Sequence, residues 1–397
     1  MDIVIISQFG SDFSSTDNDR FIYLARLLVK AGHRVELITS DFEHAKKRHR
    51  TKAKADWPFR ITFIHETGYP KNVCLKRFYS HYVFGQNLIA YLKKRPKPDV
   101  VYCAVPSLTG PELAAEYCNA SGIRFIVDIQ DLWPEAFQMV FDPPVISRIF
   151  YTPFSVLANK VYAAADEIVA VSKTYAERAF RVNRKSQKYH VAFLGTDQAE
   201  FDSYSADSPD FFLGEEDSFK VAYVGTLANS YDLENVIVAA AKVQEEKIPV
   251  KLIIMGDGEK TESLQEQADQ AGVNSLFTGR LPYSQMVGFL HQCDVAVNPI
   301  KHGSAGSIIN KVGDYAMSGL PVINTQECIE YRDLLEKYKA GINCECENSR
   351  DIAAAIVRLY KDSNVRREMS RGSRKLGVEC FSREVSYSNL IKELGLA

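Results

Sequence analysis

Lys311 and Asp314, three residues apart, are the pair in this chain best suited to hold a small anionic ligand. They follow a small-residue loop, Gly303–Ser307, that leaves the apolar run Val295–Asn298. Glycine allows an anion to approach the backbone, free amides at a helix start bond it, and a lysine neutralises it. A carboxylate one turn on can accept both hydroxyls of a ribose. The same residues also read as a capped amphipathic helix with a surface ion pair. Three further apolar runs end in glycine: Ala222–Asn229 with Gly225 and Thr226, Met255–Gly258 with Gly256, and Phe277–Arg280. Glycines punctuate turns in every α/β protein, but three such exits on one sheet edge suit a ligand crevice. Asp131 stands just past the run Phe125–Ile129, where a carboxylate could bond a sugar, orient a hydroxyl or take its proton. It could equally cap the next turn. Asp128 and Glu135 are weaker candidates of the same kind.

These residues need strand ends to hold them. Ile3–Ser7, Arg34–Thr39, Asp99–Ala104, Arg124–Ile129 and Ile168–Val171 read as buried parallel strands. Helices are expected at Asp19–Ala31, with Phe21, Leu24, Leu27 and Leu28 on one face, and at Gly110–Ser121. The polar loop Gln8–Arg20 ends at the first helix, with Asp17 or Asn18 as a natural N-cap. From Asp197 to Asp217 the chain is rich in Asp, Ser and Phe with little periodicity. A second series then alternates strands (Phe219–Val224, Val250–Met255, Ser275–Phe277, Val295–Asn298, Pro321–Asn324) with helices (Leu233–Glu245, Glu262–Ala271, Tyr283–His291, Ile309–Met317). The fold class expected is therefore α/β, with two consecutive Rossmann-like, doubly wound domains. The division expected is 1–198, a linker over 199–217, and 218–377. On pattern alone, the helices at Asp351–Lys361 and beyond Phe381 could join either domain.

The 397 residues, 46% hydrophobic and 25% charged, suffice for two cores. A formal net charge of −2 argues against a nucleic-acid partner. The eight cysteines lack a C-x-x-C pair or histidines at zinc spacing, so a reduced, cytoplasmic setting is expected, with Cys344 and Cys346 as strand or loop residues. MDIVIISQFG lacks the basic start and cleavage site of a signal peptide, and no apolar stretch reaches the roughly 18 to 20 residues that span a bilayer. Neither secretion nor a membrane span is expected. Residues Asp41–Asp99 carry fourteen Lys/Arg against five Asp/Glu. Within them Val73–Leu92 mixes Lys76, Arg77, Phe78, Tyr79, Tyr82, Phe84 and Tyr91, a face that suits an anionic bilayer or is simply solvated.

The run Lys311–Ile323 closely resembles the donor-binding signature of glycosyltransferase family 4, retaining enzymes of the two-domain GT-B fold. Tyr223–Gly225, Ile254–Gly258, Phe277–Arg280 and Cys293–Pro299 resemble the family's strand ends, in order. Ala165–Ser172 and Val191–Asp197 resemble two further landmarks, and Asp128–Glu135 resembles the active-site strand end of bacterial polysaccharide-assembly members. The resemblance covers nearly the whole chain. It implies two Rossmann-like domains facing a central cleft, with the terminal segment 378–397 packing back on the first. The implied reaction moves a sugar from a nucleoside diphosphate, UDP favoured, to an acceptor hydroxyl with retention, using no metal and no cofactor beyond the donor. Leaving-group charge then falls to protein groups. On matching positions Gly225 and Thr226, with Ser307, Ile308 and Asn310, would offer amides to the diphosphate beside the glycine exit at Gly256. Lys311 would add charge, Asp314 would take the ribose, and Arg280 and Leu281 would sit beside the base. Asp131, Asp17 and Lys311 are the catalytic candidates, Asn18 and Arg20 lying in the same loop as Asp17. The implied acceptor is a saccharide or lipid-diphosphate-linked sugar of bacterial surface polysaccharide assembly, handled at the inner face of the plasma membrane.

Two departures from the family pattern matter. Of its two glutamates eight positions apart, the second is Asp314 here and the position of the first is Gly306, which leaves contact with the donor sugar to backbone amides around Gly306 and Ser307. No basic residue stands between Thr226 and Tyr231, so Lys311 or Arg280 must meet the phosphate charge. A GT-B nucleotide-sugar 2-epimerase and a catalytically inactive sugar-binding relative remain alternatives. A dinucleotide oxidoreductase would need a G-x-G-x-x-G that Gln8–Asp19 lacks.

Overall fold

The computed structural model describes residues 1–10, 13, 19–50, 57–72, 74–135, 146–204, 217–304 and 307–397, apart from the side chains of 146–150. Asp17, Asn18, Gly306 and most of the expected linker 199–217 lie outside the described residues. Contacts divide the chain into two units, Met1–Ala192 with Tyr387–Ala397, and Phe193–Ser386. The change at Ala192–Phe193 precedes the expected boundary at 198 for a packing reason. The Phe193 ring meets Phe381 at 5.3 Å, Thr196 N donates to the Phe381 carbonyl at 2.8 Å, and Phe201 is fully buried in the second unit's core. The segment that returns to the first unit begins at Tyr387, later than the expected 378.

The first unit is built on strands β1 (Asp2–Ile6), β2 (Arg34–Ser40), β5 (Arg60–Ile64), β6 (Val100–Val105), β7 (Arg124–Ile129), β8 (Glu167–Ala170) and β9 (Tyr189–Val191). They form a seven-stranded parallel sheet in the order β5-β2-β1-β6-β7-β8-β9. β1 and β6 are buried along their whole length, as central strands covered on both faces must be. A short antiparallel pair, β3 (Phe42–Glu43) and β4 (Arg48–His49), follows β2. Helix α1 (Arg20–Lys30) is capped by Asp19, whose carboxylate accepts from Phe21 N at 2.7 Å and Ile22 N at 3.0 Å. The cap is thus neither Asp17 nor Asn18, because Asp19 is the residue that reaches the free amides. Helices α2 (Leu75–Lys94) and α3 (Thr109–Ser121) follow. The returning segment adds Tyr387, Leu390, Ile391, Leu394 and Leu396 to this core.

The second unit is a six-stranded parallel sheet in the order β12-β11-β10-β13-β14-β15. Its strands are β10 (Phe219–Val224), β11 (Val250–Met255), β12 (Ser275–Gly279), β13 (Val295–Asn298), β14 (Val322–Asn324) and β15 (Gly341–Asn343). Alternation sorts β10 onto two cores: Val221 and Tyr223 pack on one face, Ala222 on the other. The helix expected from Ile309 begins at Lys311 and ends at Met317, so Ser307–Asn310 lies outside it. Among the described residues no helix is long and apolar enough to cross a membrane.

Candidate functional site

In the second unit the three glycine exits are stitched together at the carboxyl ends of β10, β11 and β12. Gly225 N donates to the Met255 carbonyl, and Gly256 N to the Gly279 carbonyl, both at 2.9 Å. Gly225 and Gly256 both have φ of 144°, and a Cβ on Gly256 would fall 1.9 Å from the Gly225 carbonyl oxygen. Only glycine fits there. A Cβ on Gly225 would lie 3.1 Å from Lys311 Nζ, so the bare backbone leaves that amine its place.

Lys311 is 9% exposed, and its Nζ has no hydrogen-bond partner among the described residues. It lies 4.0 Å from the ring centres of both Tyr223 and Tyr231. Burial holds its ammonium well below the ordinary lysine range. The surface ion pair that the sequence left open with Asp314 does not form. Asp314 Oδ1 instead accepts from Thr196 Oγ1 and Tyr283 OH, each at 2.8 Å, while burial raises its carboxyl and those two donors lower it. Thr226, Arg280 and Asn310 are exposed, Leu281 is half-buried, and Ser307 and Ile308 are buried. The loop before Lys311 is set by amides the sequence reading did not name. Gln326 Nε2 donates to the Ser307 carbonyl at 2.6 Å, and Asn298 Nδ2 bonds Asn324 Oδ1 at 2.9 Å and Gln326 Oε1 at 3.2 Å. Asparagines at three adjacent strand ends, Asn298, Asn324 and Asn343, were the available signal.

In the first unit Asp131 follows β7. Its Oδ1 accepts from Leu132 N at 3.0 Å and more weakly from Tyr175 OH at 3.4 Å. Burial raises its carboxyl, with Arg77 among the groups that lower it. Asp128 and Arg20, by contrast, bind each other. Arg20 Nε meets Asp128 Oδ2 at 2.9 Å and Nη2 meets Oδ1 at 3.1 Å, a bidentate pair with side chains 4% and 0% exposed. Tyr102 OH donates to the same carboxylate at 2.7 Å, and Arg20 Nη1 donates to the Ala192 carbonyl and to Tyr387 OH. Both residues are therefore consumed in holding the sheet and the returning segment, which removes them as ligand contacts. Glu135 accepts from Arg178 Nε at 2.6 Å. Of the basic-aromatic stretch, Lys76, Tyr79 and Tyr82 are exposed, whereas Arg77 and Phe84 are buried. Among the described residues one group could hold a cation: Asp41, His49 and His65 each place a ligand atom within 4.8 Å of the others.

Residues 20–200 match the family described as Glycosyltransferase Family 4, and residues 207–376 the family described as Glycosyl transferases group 1. Both models are of glycosyltransferases, they together span most of the chain, and its two α/β units have the GT-B fold. Glycogen synthase of Mycobacterium tuberculosis is 23% identical over 158 residues, 39% of this chain and 37% of the relative, so the match spans well under half of that relative's length. HepE of Anabaena, solved in complex with UDP and glucose, superposes with a TM-score of 0.72 at 14% identity over 100% of both chains. Sucrose-phosphate synthase from Thermosynechococcus elongatus gives 0.74 at 15% identity over 99% of each. At such identities the likeness is one of fold, and roles in this GT-B chain rest on its own residues.

Proposed function

We propose that this GT-B chain transfers a sugar from a nucleoside-diphosphate sugar, UDP-linked by preference, to an acceptor hydroxyl with retention of configuration. The observation that carries the reading is the buried, unpartnered Lys311 amine at the glycine exits. A buried amine lacking a hydrogen bond costs stability, and a diphosphate would repay it by taking the charge that burial disfavours. As the glycosidic bond breaks, negative charge grows on the diphosphate, so an ammonium at Lys311 bonds the leaving group more strongly than the ground state. Backbone amides at Thr226 and Ser307 are the other donors, the Gly225 amide being spent on the Met255 carbonyl, and the Asp314 carboxylate takes a ribose hydroxyl. No metal or further cofactor enters this scheme. Asp131 orients the acceptor hydroxyl or takes its proton, a role its burial favours by raising the carboxyl toward neutrality. The UDP and glucose found in the Anabaena protein support the donor class. Surface-polysaccharide assembly on a lipid carrier, at the inner face of a membrane, is the setting that fits the exposed Leu75, Tyr79 and Tyr82 of α2.

The test is a thermal-shift titration with UDP-, GDP-, dTDP- and CMP-sugars on the wild type and Lys311→Ala. A shift with one base, lost in the variant, is expected. No shift with any nucleotide would sink the reading.

A further inference from the structure

We propose that the first unit carries a phosphate-binding site built by Arg77, His81, His44 and Lys47, and that it takes a phosphate or diphosphate group on the acceptor. The second clause rests on the transferase reading; the anion site itself does not.

Arg77 and His81 stand one turn apart on α2, on the same buried face. They share three aromatic walls. The Arg77 guanidinium lies 5.8 Å from the Phe9 ring, 5.6 Å from Tyr69 and 4.7 Å from Trp133. The His81 ring lies 5.5, 5.9 and 5.9 Å from the same three. His44 packs on two of them, at 5.1 Å from Phe9 and 5.7 Å from Tyr69, and its Nδ1 bonds Tyr69 OH at 2.5 Å. Lys47 Nζ lies 4.8 Å from the Tyr69 ring centre, 3.3 Å from His44 Nδ1 and 2.5 Å from Asn72 Oδ1. Phe9, His44, Tyr69 and Trp133 follow β1, β2, β5 and β7, so the cluster lies past the carboxyl ends of the strands, where open parallel sheets bind ligands.

Two nitrogens of this cluster, one on Arg77 and one on His81, lack a partner among the described residues, while His44, Lys47 and the rest of the Arg77 guanidinium are bonded to Tyr69 and Asn72. Arg77 is 8% exposed, donates from Nη1 to the Asn72 carbonyl at 2.9 Å, and its Nε has no partner among the described residues. His81 is 2% exposed and its Nε2 likewise has none. Neither Arg77 nor Lys47 forms an ion pair among the described residues. The nearby carboxylate Glu66 is held by Ser40 Oγ at 2.5 Å, Ser80 Oγ at 2.7 Å and Gln8 Nε2 at 3.1 Å. Burial, then the neighbouring positive charges, push His44 down to about 4 and His81 to about 3 and lower Lys47, while burial alone lowers Arg77. Four nitrogen bases crowded against aromatic walls make a costly arrangement without an anion. A guanidinium, an ammonium and two imidazoles suit a multiply charged tetrahedral oxyanion better than a single carboxylate. Arg77 also lowers the carboxyl of Asp131, so an anion held by Arg77 sits within the electrostatic reach of the candidate acceptor base.

The experiment is calorimetric titration of the full chain with inorganic pyrophosphate in saturating UDP, which occupies the donor site. Pyrophosphate is expected to bind, and Arg77→Gln and Lys47→Gln are each expected to weaken it roughly tenfold or more with UDP affinity unchanged. Lys47 is partly exposed, so its variant guards against loss of fold at Arg77. Farnesyl diphosphate and glucose 6-phosphate then separate the sources: tighter binding of the first assigns a lipid-linked acceptor, and of the second a soluble sugar phosphate. No pyrophosphate binding, or equal binding by both variants, overturns the site. Binding of pyrophosphate but of neither organic phosphate overturns the acceptor assignment. Failure of UDP to bind would sink the transferase reading alone, since pyrophosphate binding and its dependence on Arg77 and Lys47 can still be read without it.

Discussion

Lys311 Nζ lies 4.0 Å from the centre of the Tyr223 ring, two residues before the glycine whose missing side chain makes room for it. Burial lowers this lysine, so the folded chain favours the neutral amine while the unfolded chain stays protonated up to about 10.5. The unfolded state then binds more protons between the two values, and stability rises with pH across that window. At neutral pH, Lys311→Met should therefore raise the melting temperature of the unliganded protein and weaken UDP binding by about tenfold to a hundredfold. A lower melting temperature with unchanged UDP affinity would make Lys311 a structural residue.

Diphosphate binding should also return the proton that burial removed. Above the lowered value, UDP association is expected to take up protons, seen as a binding heat that differs between Tris and HEPES at one pH. The difference should vanish in Lys311→Met. Equal heats for the wild type in both buffers would show that the lysine does not change charge on binding.

Asp131→Asn should cut turnover by about 10² to 10⁴ while donor affinity is kept. The raised carboxyl places the acid limb of the wild-type rate profile above the usual carboxylate range. Initial rates across pH, with UDP binding measured in parallel, decide the matter; unaltered turnover removes the catalytic role.

Arg20 and Asp128 should behave as a structural pair. Removing either charge alone leaves its partner buried, at a cost of about 3–5 kcal/mol, whereas Arg20→Met with Asp128→Leu should cost less than the two single losses combined. Denaturant unfolding of the two single variants and the double variant tests this. Simple additivity would mean that the pair is not coupled.

His81 ties stability to acid. Its folded value, about 3, lies below the unfolded 6.5, so stability present above 6.5 is lost as pH falls toward 3. His81→Phe should flatten that loss by an amount on the order of a few kcal/mol. Parallel melting curves for the two proteins from pH 7 to pH 4 would contradict the assignment.

The strands were legible wherever an apolar run was continuous. Arg124–Ile129, Phe219–Val224, Val250–Met255 and Val295–Asn298 end where their residues indicate, because parallel strands buried on both faces leave no polar position to blur them. β15 and the helix Ile329–Tyr338 escaped the sequence reading: the strand has three residues, and the helix carries only two buried ones, Tyr331 and Leu335.

The residue types of the candidate donor site, Gly225, Gly256, Lys311 and Asp314, were set out by the sequence itself, since glycine exits and a lysine–aspartate spacing are local features. Their partnerships were not local. Whether Lys311 pairs with Asp314 or stands alone depends on two tyrosines from β10 and the loop after it, and on Thr196 and Tyr283 claiming the carboxylate first. Arg20 read as a ligand-loop residue until Asp128, 108 positions away, and Tyr387, 367 positions away, enclosed it. Arg77 read as part of a basic surface, and folding turned it inward among three rings. Sequence fixes which groups exist and the strand ends that present them; burial and long-range pairing decide which groups are spent on the fold and which remain for a ligand.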